Sequence, residues 1–442
     1  MLDNVQVGAS GLSAASAGFN ATAQNIANAQ TPGFSRRAVE LSLATPIANG
    51  AVRLGQGVEV DGITRNETGL LGVQIQLAAG DTAQSQSFRD ALAQVEPLVN
   101  ETFSAGARTE LAEFFDALSL ASADPSDPGL RDTVLQASTD VAEAIERLGE
   151  GFERLADQLS EQLQVEIPPL SQKMQRVAIL NQRLRAAGGA RQAPDVADQL
   201  NRLLRELGEK GGFAATISSD GSAVVLAGGN AVVEDGAARE LVFTAPDQVA
   251  VAADNGSVPI ELGGELGGLL EAYEAVTGYL EQLNTFAADF ANAVNAVNAG
   301  GFDQAGNPGG DLFTFDPANP ATSFRVATGV DGTSLAFSDD ALAPSGNGNN
   351  LSSFLALEDT LDPGTALSNI TNQVSIDVAT ASERAVRDEL VLSDLDALDS
   401  SLNGVNLDEE AVNLQAYQTA YQASARVLTV ANDLLGTLLE LA

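Results

Sequence analysis

Cysteine, histidine and tryptophan are all missing from this 442-residue sequence. Without cysteine there is no disulfide framework and no thiolate nucleophile. Without histidine the commonest general base and metal ligand near neutral pH is gone. Aromatic residues of every kind make up only 5% of the chain, fewer than a compact enzyme core of this length ordinarily carries. Positive charge is also scarce: 22 basic residues face 60 acidic ones, for a net charge of −38. Lys173 and Lys210 are the only lysines. Nucleic-acid phosphates and anionic lipid repel such a chain, so neither nucleic acid nor membrane is expected as a partner. No run is long and apolar enough to span a bilayer. Met1 to Asn20 lacks the basic and apolar regions of a cleaved secretory signal. A cysteine-free chain is suited to export without oxidative folding, by a route that reads something else.

What is present is a helical chain of small apolar residues. Hydrophobic residues account for 44% of positions, enough for a core, and the length predicts two or three structural units. In the first segment Val5, Leu12, Phe19 and Ile26 recur at seven-residue spacing. This is the mark of a helix seeking a partner helix. Thr31-Pro32-Gly33 stops it. The final segment mirrors the first, with Leu407, Leu414, Tyr421, Leu428 and Leu435 at the same spacing. Asn406 can cap that helix, with Glu409 in the capping-box position and Asp408, Glu409 and Glu410 in the first turn. Neither end can bury its stripe alone, so the two are natural partners.

Between the ends the patterns alternate. Residues 36–65 predict two short strands or extended arms around Pro46 and Gly50. Helices are expected over 67–100, 107–122 and 130–165, the last carrying Val141, Ile145, Leu148, Phe152, Leu155 and Leu159. Pro168-Pro169 should interrupt or kink it. Helix resumes to Gly188-Gly189 and again over 194–208. From Gly211-Gly212 to about Ile260, short apolar runs between turns such as Ser219-Asp220-Gly221 and Glu234-Asp235-Gly236 predict a small inserted β domain. Residues 265–299 hold a four-heptad seam from Leu269 to Val297. Residues 300–365 are turn-rich with strand-like pieces, and 365–441 is helical apart from Ser400 to Val405.

Carboxylate pairs such as Asp339-Asp340 could serve a glycosidase-like muralytic enzyme, but 60 acidic residues make chance pairs common. No enzyme activity is expected. Asp303, Asn307 and Asp311 sit among glycines and could form a calcium loop, the basis for an alternative function as an exported calcium-dependent adhesin or binding module. Pro308 stands where an EF-hand loop needs glycine, so an Asx-turn loop is the expectation there, with no cofactor.

Two stretches carry a family resemblance. Gly11-Leu12-Ser13-Ala14-Ala15, then Asn25-Ile26-Ala27-Asn28-Ala29 and Thr31-Pro32-Gly33-Phe34-Ser35-Arg36, resemble the N-terminal signature of flagellar rod, hook and hook-associated axial proteins. Gly404-Val405-Asn406-Leu407-Asp408-Glu409-Glu410, with Tyr421-Gln422-Ala423-Ser424-Ala425-Arg426, resembles the matching C-terminal signature. The form of both turns is most similar to the hook-associated members. The resemblance implies a mainly α fold with an inserted β domain, in an elongated axial-protein architecture. The N- and C-terminal helices (1–35 and 401–442) would pair as a polymerising coiled coil. Residues 36–210, 263–300 and 351–400 would form a helical-bundle rod body, and 211–262 with 301–350 a small outer β-rich domain. It also implies a structural adaptor at the hook–filament junction, extracellular and exported by the flagellar type III route. The implied partners are other copies of the chain, hook protein, hook-associated protein 3 and an export chaperone. Another axial role (hook, rod or flagellin) is the alternative within the family. The seven-residue stripes at both ends would then be the assembly interface, mobile before assembly and ordered by neighbours.

Overall fold

The computed structural model describes residues 1–442 except 1, 32–33, 35, 50–51, 66–68, 101–105, 246–247, 254–255 and 442. Pro32, Gly33 and Gly50, expected to make turns, lie outside the described residues, as does the side chain of Leu435. The chain opens with α1 (Leu2–Asn28), followed by an arm of four short strands. In the arm, β1 (Arg37–Leu43) pairs antiparallel with β4 (Val58–Arg65), and β2 (Ile47–Asn49) pairs with β3 (Val52–Leu54). Val39, Leu41 and Leu43 face Ile63, Val60 and Val58. A bulge between Glu40 and Leu41 changes the register partway along. The two strands expected here are therefore two hairpin-like pairs in series.

The body begins with α2 (Gly69–Leu92), a one-turn α3 (Glu96–Val99) and α4 (Ala107–Ala121). It continues in α5 (Pro128–Ala187), a single helix of 60 residues and thus about 90 Å long at 1.5 Å per residue. Asp127 starts it: its carboxylate accepts from Gly129 N at 2.7 Å and Leu130 N at 3.1 Å, with Pro128 pre-set at the first helical position. Gly188, left-handed at φ 87°, ends it. Pro168 and Pro169 do not interrupt it, contrary to expectation. Both rings lie on the exposed face, between buried Leu163, Ile167 and Leu170. The carbonyls they leave without an amide belong to Gln164 and Val165, which are also exposed, so water can serve them.

After α6 (Pro194–Gly211) comes the β insert. One antiparallel sheet holds β5 (Ala214–Ile217), β6 (Ala223–Ala227), β7 (Asn230–Glu234) and β8 (Ala237–Ala238) in that order. The other has β10 (Gln248–Ala253) between β9 (Leu241–Ala245) and β11 (Gly256–Ile260). Val225, Val232, Val233, Val249 and Val251 form its interior. Asn181 of α5 holds the insert by exchanging two hydrogen bonds with the Ala223 backbone, at 2.7 and 2.9 Å. The two ends of the insert meet at a glycine neck. Gly263 N donates to Gly211 O at 3.0 Å, and a Cβ on Gly212 would sit 2.7 Å from Gly263 N. Only glycine allows that approach.

The long α7 (Gly264–Ala299) then runs through the core, with Val276, Leu283, Ala287, Phe290 and Val294 fully buried. Its seam packs on α2, α5 and α9 (Pro363–Asn403). Residues 301–350, grouped with the insert on composition, pack against α4, α5 and α7. Phe313 in β12 (Phe313–Thr314) and Phe324 just before β13 (Arg325–Val326) stack on each other at 5.0 Å and meet Phe290, with Phe313 also meeting Phe114, at tilted centroid distances of 5.6–6.4 Å. Arg131 of α5, 2% exposed, pins the same segment. It donates to the carbonyls of Gly332 and Leu335, both at 2.9 Å, and lies over the Phe337 ring. Desolvation lowers its pKa, against the field of Asp303. A short α8 (Leu351–Thr360), α9 and α10 (Leu407–Leu441) complete the chain.

Candidate assembly interface at the paired termini

α1 and α10 lie against each other within one chain. Their seam differs from the one periodicity predicts. Gly8, Gly11 and Gly18 of α1 face α10: a Cβ on Gly8 would lie 3.0 Å from Leu428 Cγ, and one on Gly11 2.8 Å from Ser424 Oγ. A Cβ on Gly18 would overlap the Tyr417 ring. Ala14, Ala15, Ala21 and Thr22 are buried along the same helix. Small residues let the two backbones approach closely, and the larger side chains are displaced to the flanks.

Val5, Leu12, Phe19 and Ile26 are accordingly half-buried. On α10, Leu414 and Leu428 are half-buried and Leu428 covers Gly8, whereas Leu407 and Tyr421 are exposed. The stripe read from the sequence is thus divided between the intrachain seam and the outer surface. Val7, Val427, Val430 and Leu434, all more than a third exposed, line an open apolar groove between the two helices with Ala423, Arg426 and Ala431.

At the base of the pair the polar residues of both end motifs converge. Glu410 is 1% exposed and accepts from Arg36 Nε at 2.7 Å and from Asn25 Nδ2 at 3.1 Å. The Asn25 amide matches the peptide of Arg37 in both directions: its Nδ2 donates to Arg37 O at 2.8 Å and its Oδ1 accepts from Arg37 N at 2.9 Å. Arg37 turns its guanidinium to α6, donating to Asp198 at 2.6 Å and Asp195 at 2.8 Å. A further bond of 2.6 Å reaches Gln24, and the Phe34 ring lies 5.3 Å away. Burial opposes the charge on Arg37, but the hydrogen bonds it donates to Asp198 and Asp195, with their charges, outweigh it and raise the pKa. This clamp joins α1, the arm, α10 and α6, so it ties the terminal pair to the body.

The expected capping box is half present. Asn406 Oδ1 accepts from Asp408 N at 2.9 Å and Glu409 N at 3.4 Å, while the Glu409 carboxylate lies 3.4 Å from the Arg36 guanidinium. From the sequence, Arg36 belongs to a motif with no task of its own and Glu410 to the acidic first turn of the last helix, and nothing there marks Arg37, Asp195 or Asp198 as their partners. The available signal was an Arg-Arg pair in a cation-poor chain, with two aspartates three residues apart on a predicted helix.

The arrangement holds surfaces together; among the described residues no group of three or more carboxylates is placed to hold a metal ion. In the Asp303 loop, one carboxylate oxygen accepts from Ala305 N and Asn307 N, both at 2.8 Å, and the other from Asn307 Nδ2 at 3.0 Å. Partial burial would raise its pKa, yet these hydrogen bonds, Asn307 foremost, hold it below the usual carboxylate range. The loop satisfies its own aspartate, as an Asx turn does.

Comparison with known proteins agrees with both ends and the middle. Residues 92–313 match the family described as flagellar hook-associated protein FlgK helical domain. Residues 401–441 match the flagellar basal body rod FlgEFG protein C-terminal family, and 6–34 the flagella basal body rod protein family. Flagellar hook-associated protein 1 of Bacillus subtilis is 26% identical over 96% of this chain and 95% of its own length. That of Salmonella typhimurium is 23% identical over 98% of each. Among solved structures, the flagellar hook junction protein FlgK from Burkholderia pseudomallei is similar with a TM-score of 0.50 and 25% identity, over 55% of this chain and 47% of that one.

Proposed function

The chain belongs to the FlgK family of flagellar hook-associated proteins and is a structural component of the bacterial flagellum, and from that premise we propose that it is the adaptor joining hook to filament, polymerising through its terminal helices. The observation that carries this reading is the division of apolar surface on α1 and α10. Their close glycine seam is satisfied inside the chain, while Val7, Val427, Val430 and Leu434 stay open to solvent. A soluble chain retains such a stripe only where another surface covers it. The half-buried Val5, Leu12, Phe19, Ile26, Leu414 and Leu428 and the exposed Leu407 and Tyr421 form the flanks of the same assembly surface.

In this division of labour 1–35 and 401–442 assemble, 36–210, 263–300 and 351–400 set spacing together with 301–350, which packs on α4, α5 and α7, and 211–262 faces outward. Hook protein lies below and hook-associated protein 3 above, and an export chaperone covers the C-terminal region before type III export to the cell exterior. The test is Val430→Asp, which places a charge in the outer groove without touching the glycine seam. Flagella from cells carrying it should end as bare hooks, with filament protein shed into the medium, while the purified variant melts like the parent chain. Normal filaments would refute the reading. Deletion of 407–442 should likewise abolish incorporation and leave the body folded.

A further inference from the structure

Basic residues are scarce and unevenly placed. Residues 173–210 contain 8 of the 22 basic residues but only 4 of the 60 acidic ones, a local balance of +4 in a chain of −38. This stretch is the last quarter of α5 and nearly all of α6, an antiparallel hairpin bridged by two ion pairs. Lys210 lies 3.1 Å from Glu166, and Lys173 2.7 Å from Glu206. That register puts Arg176 level with Arg202. Arg176, Arg183, Arg202 and Arg205 are all exposed, and among the described residues none has a carboxylate within ion-pair distance. Exposed Ile179 lies on the same face of α5, between Arg176 and Arg183. In a strongly acidic protein, where carboxylates abound, four arginines without a direct ion pair around an apolar residue, only Arg205 having the field of a neighbouring carboxylate (Glu209), form a surface prepared for an external partner.

The complementary surface is on the same chain. From Asp388 to Asn403, the last part of α9 carries five acidic residues and no basic one. Glu389, Asp394 and Asp396 are exposed, interleaved with exposed Leu390, Val391 and Leu398. Leu390, Asp394 and Leu398 follow at four-residue spacing, so charge and apolar surface share one face. Like-charged copies cannot assemble closely unless such patches meet opposite ones.

We infer that the arginine face of the α5–α6 hairpin in one copy receives the acidic, leucine-bearing face of α9 from a second copy, a lateral contact separate from the terminal helices. The contact is head-to-tail, since different surfaces meet, and so can propagate from copy to copy. It rests on the self-assembly proposed above, yet it uses none of the same residues.

The experiment uses the full chain in three charge or groove variants: R176E/R202E, D394R/D396R and V430D. Self-association is followed by sedimentation at low ionic strength, where screening is weak. Each charge-reversed variant alone should associate about tenfold more weakly than the parent chain. An equimolar mixture of the two should recover association to within about twofold, because each reversed face then meets its reversed complement. Association of either variant at the parent level, or a mixture as weak as its components, would overturn the inference. If V430D fails to associate while the charge variants do not, the terminal-helix reading stands and this one falls. The opposite pattern keeps this one and removes the other, and no association of the parent chain removes both. R183E/R205E, on the same face, replaces R176E/R202E if melting shows that pair to be unfolded.

Discussion

Replacing Glu410 with alanine tests whether the buried clamp holds the terminal helices together. The carboxylate is 1% exposed and receives two hydrogen bonds, from Arg36 at 2.7 Å and Asn25 at 3.1 Å. Removing one member of a fully buried ion pair costs about 3–5 kcal/mol, chiefly because the other charge is left uncompensated. Here Arg36 keeps 33% of its side chain in solvent and can rehydrate, and Asn25 keeps its two bonds to Arg37. The expected cost is therefore about 2–3 kcal/mol, taken by the α1–α10 pair. At 1.4 kcal/mol per tenfold, that is an increase of about 30- to 150-fold in the opening of α10. Native-state hydrogen exchange reads it directly: amides of 407–434 should exchange faster by that factor, while those of α5 and α7 stay unchanged. Glu409, 61% exposed and 3.4 Å from the same arginine, is the control. Its alanine variant should change exchange less than about threefold. Refutation would be α10 amides in E410A within threefold of the parent, or equal acceleration throughout the body.

Four other outcomes are expected. Pro168→Ala with Pro169→Ala should raise the melting temperature, gaining about 1–2 kcal/mol per site, less than the ~3 kcal/mol of an interior helical proline because the freed carbonyls are hydrated; calorimetry showing no gain would mean the helix depends on the rings. Gly18→Val should destabilise the terminal pair by about 1–3 kcal/mol through overlap with Tyr417, whereas Gly278→Ala, in open space on α7, should stabilise by up to ~1 kcal/mol in chemical denaturation. Tyr279 donates to Asp377 at 2.6 Å, and Tyr279→Phe should cost about 1–2 kcal/mol. Burial, then the bond to Asp377 and its charge, raise the phenol's pKa. Its contribution is therefore intact below the unfolded-state value near 10 and lost as pH rises above it. Parent and variant stabilities should converge in alkaline denaturation, and a constant difference would contradict this.

Much of the helical frame was legible because helix periodicity and turn residues are local signals. Asp127 and Pro128 start α5 and Gly188 ends it through bonds within a few residues of themselves. The Ser219-Asp220-Gly221 and Glu234-Asp235-Gly236 turns specify the β5–β6 and β7–β8 hairpins equally locally. The diproline lies within α5 and not at a break because its effect depends on which face of the helix it occupies. With Leu163, Ile167 and Leu170 fixing the buried side, both rings point to water. The place of 301–350 was likewise hidden, since Phe313 meets Phe114 across roughly 200 residues of chain.

By itself the sequence determined that two helices at opposite ends need partners, that a β insert interrupts a helical body, and that motif chemistry joins the ends to one family. Which side chains make the terminal contact was decided only by tertiary structure. Heptad counting favours the largest apolar residues, but helix packing also depends on how closely backbones approach. Here Gly8, Gly11 and Gly18 admit α10 and push Val7, Val430 and Leu434 outward. The same holds for the clamp: Asn25, Arg36 and Glu410 become one site only when residues 385 positions apart are folded together. Burial then turns an ordinary surface triad into the joint between the ends.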